Sequence, residues 1–338
     1  MSVPLLCFGE LLLRLASPGH ELLLQSPRLQ VHVGGAEANV AIALAGFGHA
    51  TACIGIVADN ALGRAAAGEL RRHGVDTTRL RYASGRMGLY FLETGALQRP
   101  SEVLYDRADS AFARAAASDY DWPALLAGAP LLHLSGVTPA LGRACADAAI
   151  AAARAARALA IPVVFDGNFR AKLWQAWDGD PAAILGEILA CADTVFADHR
   201  DIAVVLRREF VATATASVDR LAADAAFATF PQIRRIVSTR REQHSVDCHD
   251  LSAQLFTRER EWQLPAQRLD GIVDRIGGGD AFAAGVLHGL LNGHDEEHSL
   301  RFGLAAACLK HSVPGDFLSL PVARVAQFLS DARFDVRR

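Results

Sequence analysis

The sequence lacks an excess of charge of either sign, since its 338 residues contain 34 lysines and arginines against 37 aspartates and glutamates. Proteins that bind nucleic acid or anionic membranes electrostatically carry clustered positive charge, so neither partner is expected. The sequence also lacks an uninterrupted apolar run of the ~18 residues that a membrane-spanning helix requires. With 51% hydrophobic residues it is nevertheless too apolar for a disordered chain.

Cysteine pairs at metal-binding or redox spacing are also missing. The six cysteines are scattered, without a C-x-x-C motif, which in a chain of this length is typical of reduced, buried cysteines in a cytosolic protein. The apolar start has no basic segment and is interrupted by Glu10 and Arg14, so we expect no signal peptide. These features predict a cytoplasmic protein.

Short apolar runs alternate with helical stretches along the chain. The runs are continuously apolar, as expected for strands buried on both faces, and lie at 3–8, 51–57, 131–134, 162–165, 194–196 and 233–237. Apolar spacing at 36–47 and an alanine-rich stretch at 140–159 predict helices between them. This alternation predicts an α/β protein, in which helices cover both faces of a mostly parallel sheet.

Two segments, 11–33 and 87–107, have a strand-like but more polar sequence. We interpret them as antiparallel excursions from the main sheet that cover a site as a lid, with ordinary surface hairpins as the alternative. The sequence shows no internal repeat and no linker rich in glycine, serine or proline. We therefore expect residues 1–338 to form a single domain with inserted lid strands.

Three consecutive glycines stand directly before an apolar helical stretch, in D-R-I-G-G-G-D-A-F at 274–282. Small residues let backbone N–H groups approach an oxyanion closely, and a helix start adds partial positive charge. Gly277, Gly278 and Gly279 therefore predict a phosphate site. Asp280 beside them is placed to accept a proton from an attacking hydroxyl during phosphoryl transfer. The alternative is that Asp280 only caps the helix after a flexible turn.

Other phosphate-binding motifs are absent. The sequence contains no Gly-Lys dipeptide and therefore no Walker A loop. His199-Arg200-Asp201 resembles a protein-kinase catalytic loop, but Leu206 stands where that loop has asparagine, and no Asp-Phe-Gly follows. The glycine string that starts at Gly46 lacks the third glycine of a dinucleotide fingerprint, which argues against an oxidoreductase. The glycine run at 277–279 therefore remains as the phosphate site.

Ligands of open parallel sheets bind at the carboxyl ends of the strands. The polar residues that follow the predicted strands are Ser135, Asp166, Asn168, Arg170, Asp198, Asp201, Ser238, Thr239 and Arg240. We expect them to surround the site. The adjacent polar residues at 247–250 are not spaced for convergence on a metal ion and predict a solvated turn instead.

Two motifs resemble those of the ribokinase-like (PfkB) carbohydrate kinases. D-R-I-G-G-G-D-A-F-A-A-G from 274 resembles the second signature of that family, and G-G-A-E-A-N-V-A at 34–41 resembles its sugar-binding motif. Further segments are similar to the branch that acts on 2-keto-3-deoxygluconate, namely G-E-L-L-L-R-L at 9–15, G-L-Y-F-L-E at 88–93, Y-D-R-A at 105–108, D-G-N-F-R-A-K-L-W at 166–174 and V-P-G-D at 313–316. Together they cover nearly the whole chain.

The resemblance implies a three-layer α/β/α ribokinase-like fold with a small β lid. It implies transfer of the γ-phosphoryl group of ATP, with Mg²⁺, to the 6-hydroxyl of 2-keto-3-deoxygluconate, with Asp280 as the base. The sugar acid would be bound by Gly34, Gly35, Asn39, Tyr90, Tyr105, Arg107, Arg170 and Asp316. The nucleotide side would comprise Asn168, Arg170, Asp198, Ser238, Thr239, Arg240 and the three glycines. The resemblance identifies no side chain as a metal ligand, and it implies a homodimer formed through the lid.

The sequence departs from the family pattern at three places. Arg275 stands where the family usually has threonine, and Asp198 where it usually has asparagine. The strand at 233–237 is followed by S-T-R-R-E-Q-H-S rather than a glycine-rich T-x-G-x-x-G turn. Other elements must therefore shape that side of the nucleotide pocket.

Two alternatives to this function stay open. One is a kinase of another sugar, such as fructose or a different keto-deoxy acid, and the other is a sugar-binding sensor with little catalytic activity. Arginines favour a sugar acid, because a guanidinium forms a bidentate, charge-assisted pair with a carboxylate. Ordinary surface positions are the alternative for Arg107 and Arg170.

Overall fold

Two β-sheets and the helices around them make up residues 3–330, the part of the chain that the computed structural model describes. The strands are β1 (Leu5–Phe8), β2 (Leu12–Ala16), β3 (Gln30–Gly34), β4 (Thr51–Ala58), β5 (Leu80–Ala83), β6 (Gly88–Glu93), β7 (Glu102–Asp106), β8 (Leu132–Ser135), β9 (Val163–Asp166), β10 (Thr194–Phe196), β11 (Arg235–Ser245), β12 (Cys248–Phe256) and β13 (Glu261–Asp270). The α-helices are α1 (Ala36–Gly46), α2 (Ala61–Arg72), α3 (Trp122–Leu126), α4 (Arg143–Ala158), α5 (Ala171–Trp174), α6 (Pro181–Leu189), α7 (His199–Leu206), α8 (Val218–Thr229), α9 (Gly278–Leu291), α10 (Glu296–Lys310) and α11 (Val322–Ser330).

The central sheet has nine strands in the order β13-β12-β11-β10-β9-β8-β1-β4-β5. The seven from β11 to β5 run parallel, while β12 and β13 extend one edge antiparallel. Strands β1, β4, β8 and β10 are buried along their whole length, which explains their continuously apolar sequences. Helices flank this sheet, so the predicted α/β fold with a mostly parallel sheet is confirmed.

Each predicted apolar run is a strand, but two predicted boundaries are wrong. The predicted helix at 140–159 begins only at Arg143, because Gly142 has φ 140°, a conformation outside the helical region. Strand β11 does not end near 237 but continues to Ser245, since it pairs with β12 from Ile236–Phe256 to Ser245–Cys248. This long hairpin occupies the place where a glycine-rich turn was missing.

The second sheet is formed by the two predicted lid segments, in the order β3-β2-β6-β7. The two segments meet through β2 and β6, which run parallel, whereas β3 and β7 pair antiparallel on either side. One face carries Arg14, Tyr90 and Tyr105 in a row of opposed positions. These side chains point towards the residues of the predicted site, as the contacts below show.

Helix α9, which carries Asp280, packs closely against α10. A Cβ at Gly285 of α9 would lie 2.7 Å from the Cα of Gly303 in α10, so the two helix backbones nearly touch there. All six cysteines are free, and all but the partly buried Cys248 are buried, as predicted. Among residues 3–330, no helix combines the length and apolarity needed to cross a membrane.

Candidate active site

The three glycines form the turn into α9, and the structure gives each of them a different environment. Gly277 has φ 77°, and a Cβ there would collide with the carbonyl oxygen of Asp316. A Cβ at Gly278 would lie 2.9 Å from Cε1 of His311, whereas a Cβ at Gly279 would meet no atom within 4 Å. Because the first turn of a helix has N–H groups without intrahelical partners, the open space at Gly279 fits a phosphate group.

Asp280 lies in the first turn of α9, as predicted, and is 9% exposed. Its Oδ2 accepts a hydrogen bond of 2.6 Å from Nδ2 of Asn39. Burial raises the pKa of Asp280 to about 7, although the Asn39 hydrogen bond and the charge of Arg170 act in the opposite direction. A carboxyl group that titrates near neutrality suits a general base.

The motif at 34–41 is brought next to the glycine turn by close backbone packing. Gly34 ends β3, and a Cβ there would collide with the carboxylate of Asp316. Gly35 has φ 143°, and a Cβ there would collide with the carbonyl oxygen of Glu10. Both positions therefore require glycine for packing, and Asn39, one turn along α1, contacts Asp280 across 241 positions of sequence.

Asp316 is the centre of the predicted sugar site. Its Oδ2 accepts a hydrogen bond of 2.6 Å from the hydroxyl of Tyr90, so the lid sheet contacts the core here. It also lies against Gly34 and Gly277, as described above. The structure thus brings together residues from four separate predicted motifs.

Sequence analysis missed the role of Arg14, which is 1% exposed on lid strand β2. Its Nη2 donates to Oδ2 of Asp274 at 2.7 Å, and its Nε lies 3.0 Å from Oδ1 of Asp316. A single charge in an otherwise apolar strand was the available signal. Arg14 holds the loop before α9 and the sugar-side aspartate in one arrangement, and is therefore a positioning residue.

Arg107 has a partner that the sequence did not reveal. It lies one residue beyond β7 rather than on that lid strand, and is 7% exposed. Its Nε donates to Oε2 of the buried Glu10 at 2.7 Å, and Glu10 also accepts a hydrogen bond from Ser110. Contact between Arg107 and a substrate carboxylate stays a prediction, and would use its other guanidinium nitrogens. Tyr105 is half-buried beside Tyr90, with ring centroids 6.5 Å apart.

Partly buried carboxyl groups gather where β9 ends and where α7 begins after β10. Burial raises the pKa of Asp166, at the end of β9, and the nearby Asp280 raises it further. Burial also raises the pKa of Asp201 to about 6. The guanidinium of Arg170 lies near all three carboxyl groups and opposes these shifts. Asn168, between them, adopts φ 38°, which asparagine tolerates.

Ser135 and Glu37 anchor the start of α1 to β8. The hydroxyl of Ser135 donates to Oε1 of Glu37 at 2.7 Å, and that of Thr138 donates to the same oxygen at 2.9 Å. Burial raises the pKa of Glu37, and these hydrogen bonds oppose the shift. Ser135 therefore serves to hold the helix that presents Asn39.

Several predicted nucleotide-side residues have partners within the protein. Asp198 caps α7 and forms an ion pair with Arg200. Ser238 is buried, and its hydroxyl lies 3.0 Å from Nε2 of Gln254, which donates to it. Arg240 is exposed on the same face as Ser238, whereas Thr239 alternates to the opposite face. Their nucleotide contacts stay predictions.

The prediction of a solvated turn at 247–250 is partly wrong. The chain does turn at 246–247, and Asp247 is exposed. His249 is 0% exposed, however, because β12 places it under the end of α10, with its ring centroid 6.4 Å from that of His311. Among residues 3–330, no group of three or more His, Cys, Asp or Glu side chains is arranged to hold a metal ion.

Comparison with known proteins identifies the family. The chain matches the profile of the pfkB family carbohydrate kinases over residues 4–323. This chain belongs to the PfkB family. This PfkB kinase is 32% identical to the 2-dehydro-3-deoxygalactonokinase of Haloferax volcanii over 337 residues, which cover 99% of the chain and 100% of the relative. The resemblance seen in the sequence is confirmed, and the enzyme transfers a phosphoryl group to a sugar hydroxyl.

Solved structures agree with this assignment. The crystal structure of a 2-dehydro-3-deoxygluconokinase from Thermotoga maritima superposes with a TM-score of 0.91 at 34% identity, covering 98% of this chain and 100% of that one. A ribokinase-type protein of E. coli, solved in complex with ATP and Mg²⁺, superposes with a TM-score of 0.81 at 16% identity, covering 97% and 99% of the two chains. The second likeness establishes the ribokinase-like fold of the PfkB kinase.

Proposed function

We propose that this PfkB kinase phosphorylates a sugar acid of the 2-keto-3-deoxygluconate type on its 6-hydroxyl, with ATP and Mg²⁺. The guanidinium of Arg170 carries this proposal: it is exposed at the start of α5, its charge lowers the pKa of Asp280, and within residues 3–330 it forms no ion pair. A carboxylate-bearing substrate would supply one. The names of the relatives from Haloferax volcanii and Thermotoga maritima support a 2-keto-3-deoxy acid and differ in the epimer.

Asp280 acts on the attacking hydroxyl in the proposed mechanism. Its carboxylate takes the hydroxyl proton as the oxygen attacks phosphorus, and the Asn39 amide 2.6 Å away holds the accepting group in place. N–H groups in the first turn of α9 stabilise the charge on the transferred phosphoryl oxygens. ATP supplies that phosphoryl group when bound, and Tyr90 and Asp316 orient the sugar beneath the lid.

Mg²⁺ would neutralise phosphate charge at this site. Proteins usually hold it through one or two carboxylates, several waters and the phosphates themselves. The partly buried carboxyl groups of Asp166, at the end of β9, and Asp201, in the first turn of α7, fit that donor chemistry. The charges of Asp280 and Asp201 both raise the pKa of Asp166, so Asp166 is the carboxyl group near both.

Sugar-acid selectivity should depend on Arg170. In a coupled ADP-release assay over sugar acids and neutral sugars, we expect turnover of 2-keto-3-deoxy acids and little with fructose. Arg170→Gln should reduce kcat/KM for the acid by about tenfold to hundredfold, the scale of about 1.5–3 kcal/mol for a hydrogen bond to a charged group. The matched control is Lys172→Gln, which removes an exposed charge from α5, two residues beyond Arg170, and should change little.

The same assay decides among the alternatives. An analogue with the acid reduced to an alcohol should be a poor substrate of the wild type and of Arg170→Gln alike. Equal losses for acid and alcohol would make Arg170 structural and favour a neutral-sugar kinase. Arg107→Lys tests the lid arginine while keeping a charge beside Glu10, which Arg107→Ala would leave buried and unpaired. Sugar binding without ATP consumption would indicate a sensor.

We also propose that the lid joins two copies of the chain. The lid face opposite Arg14 and Tyr90 carries an apolar row of directly opposed side chains, namely Val31, Leu15, Phe91 and Leu104. Val31 is 59% exposed and Leu104 is 61% exposed. A second lid sheet of the same composition would cover this row, as the family resemblance implies.

Light scattering coupled to gel filtration tests the dimer. The wild type should elute as a dimer and Leu104→Asp as a monomer, because burying an unpaired carboxylate in an apolar interface is unfavourable. Leu159→Asp introduces the same charge at a half-exposed leucine after α4 and should stay dimeric. A monomeric wild type, or a dimer that survives in Leu104→Asp, would contradict the proposal.

A further inference from the structure

Arg241 lies on the part of β11 that extends beyond its apolar segment, and its side chain is exposed. Thr239 and Arg241 lie opposite Ala253 and Leu251 on β12, and directly opposed residues of an antiparallel pair share a face. Ala253 and Leu251 are buried, on the face of the hairpin that packs against α10. Arg241 therefore projects from the same side of the hairpin as the end of α10.

Arg275 brings a second guanidinium to this region, two residues before Gly277. Partial desolvation lowers the pKa of Arg241, and the positive charges of Arg275, Arg200 and Arg170 lower it further. The face of the hairpin that carries Arg241 also carries His249, whose ring centroid lies 6.4 Å from that of His311 beside the glycine turn. Within residues 3–330, Arg241 and Arg275 form no ion pair, in contrast to Arg200, which is paired with Asp198.

Polar atoms without partners mark the same place. His249 is fully buried, and neither of its ring nitrogens has a hydrogen-bond partner among the described residues. His311 next to it packs against Gly278, the first residue of α9. Burial lowers the pKa values of both histidines, so the positive charge on this side of the glycine turn comes from Arg241 and Arg275, and two unpaired positive charges there favour a bound anion.

We propose that Arg241 and Arg275 form a guanidinium clamp for the phosphate chain of the nucleotide. This proposal rests on the proposed function in one respect, namely that a nucleotide is the phosphoryl donor. Guanidinium groups donate forked, charge-assisted hydrogen bonds to phosphate oxygens. On the hairpin side of the pocket, these two side chains would bind the phosphates in place of the backbone N–H groups of a glycine-rich turn. The enzyme consequently selects its donor by phosphate charge.

Binding of a non-hydrolysable ATP analogue and of adenosine, measured by calorimetry without sugar, tests the clamp. Arg241→Gln and Arg275→Thr should each weaken analogue binding by about tenfold to hundredfold and leave adenosine binding unchanged. Added salt should weaken analogue binding less in these variants than in the wild type. Arg260→Gln, at the exposed turn between β12 and β13, is the matched control and should bind like the wild type.

Two outcomes would overturn the clamp. The first is an unchanged affinity for the analogue, and the second is an equal loss of affinity for adenosine and the analogue. The unfolding temperature of each ligand-free variant should not fall, because the change removes repulsion rather than a contact. The double variant Arg241→Gln/Arg275→Thr should lose less binding free energy than the two single variants lose together, because both arginines bind the same phosphate chain. Failure of the sugar-acid assignment would leave these sugar-free measurements unaffected.

Discussion

Asp280→Asn will lower kcat by about 10²–10⁴-fold and leave nucleotide affinity largely unchanged, which is the usual effect of removing a general base. Asparagine has the shape of the aspartate but cannot take the hydroxyl proton. Steady-state kinetics and calorimetry with an ATP analogue measure the two effects separately. Glu297→Gln is the matched control, since it neutralises an exposed acid in the first turn of α10 and should leave kcat unchanged. An unchanged kcat in Asp280→Asn would show that Asp280 is not the general base.

The pKa of Asp280 adds a pH dependence with a defined sign. Because burial raises that pKa to about 7, the group is protonated and inactive as a base below neutrality. We expect kcat/KM of the wild type to rise with pH through about 7, and Asp280→Asn to lose this inflection. An inflection that survives in Asp280→Asn would have to come from another group.

The same shift connects Asp280 to stability. A carboxyl group whose folded pKa lies above its unfolded value of 3.8 favours folding at low pH, and that contribution is lost as pH rises through about 7. Asp280→Asn removes this loss. Its unfolding temperature should therefore exceed that of the wild type at pH 8 and approach it at pH 4. If Asp280→Asn were less stable than the wild type at pH 8, ionisation of the buried Asp280 would not be what destabilises the folded state there.

Gly279→Val will leave a folded but nearly inactive enzyme, with a loss in kcat/KM of about 10²-fold or more, the scale of losing anion-stabilising donors. A Cβ at Gly279 meets no atom within 4 Å, so the first side-chain atom enters open space, unlike at Gly277 or Gly278. The valine instead fills the space before α9 where the phosphate oxygens must approach. Gly279→Ala should have a kcat/KM between those of the wild type and Gly279→Val, and an unfolding temperature no lower than that of the wild type.

Substitutions at Gly277 and Gly278 differ from those at Gly279, because they would disturb the protein itself. Side chains at Gly277 or Gly278 would meet the carbonyl of Asp316 or the ring of His311, so activity lost in those variants reports a displaced loop. Circular dichroism and unfolding temperature separate the two cases. Wild-type activity in Gly279→Val would show that phosphate does not approach α9 from this side.

Local sequence patterns predicted much of this protein. Continuous apolar runs predicted the parallel strands, because a strand covered on both faces needs no polar positions. The glycine run predicted the turn into α9 and the placement of Asp280, because backbone conformation and helix polarity act within a few residues. The polar segments 11–33 and 87–107 likewise form the predicted additional strands, in a second sheet, although their parallel pairing through β2 and β6 was not foreseen.

Partners of buried charges were decided only by the tertiary structure. Arg14 and Asp274 are 260 positions apart, and Arg107 and Glu10 are 97 apart, so neighbouring residues carry no signal for either pair. Strand β11 runs past its apolar segment because cross-strand hydrogen bonds to β12 sustain it, and this extension places Arg241 opposite the buried Leu251. His249 is buried because α10 covers it, not because its polar neighbours favour burial. A single charged or polar residue has no periodicity, and its environment is therefore set by whichever distant element packs against it.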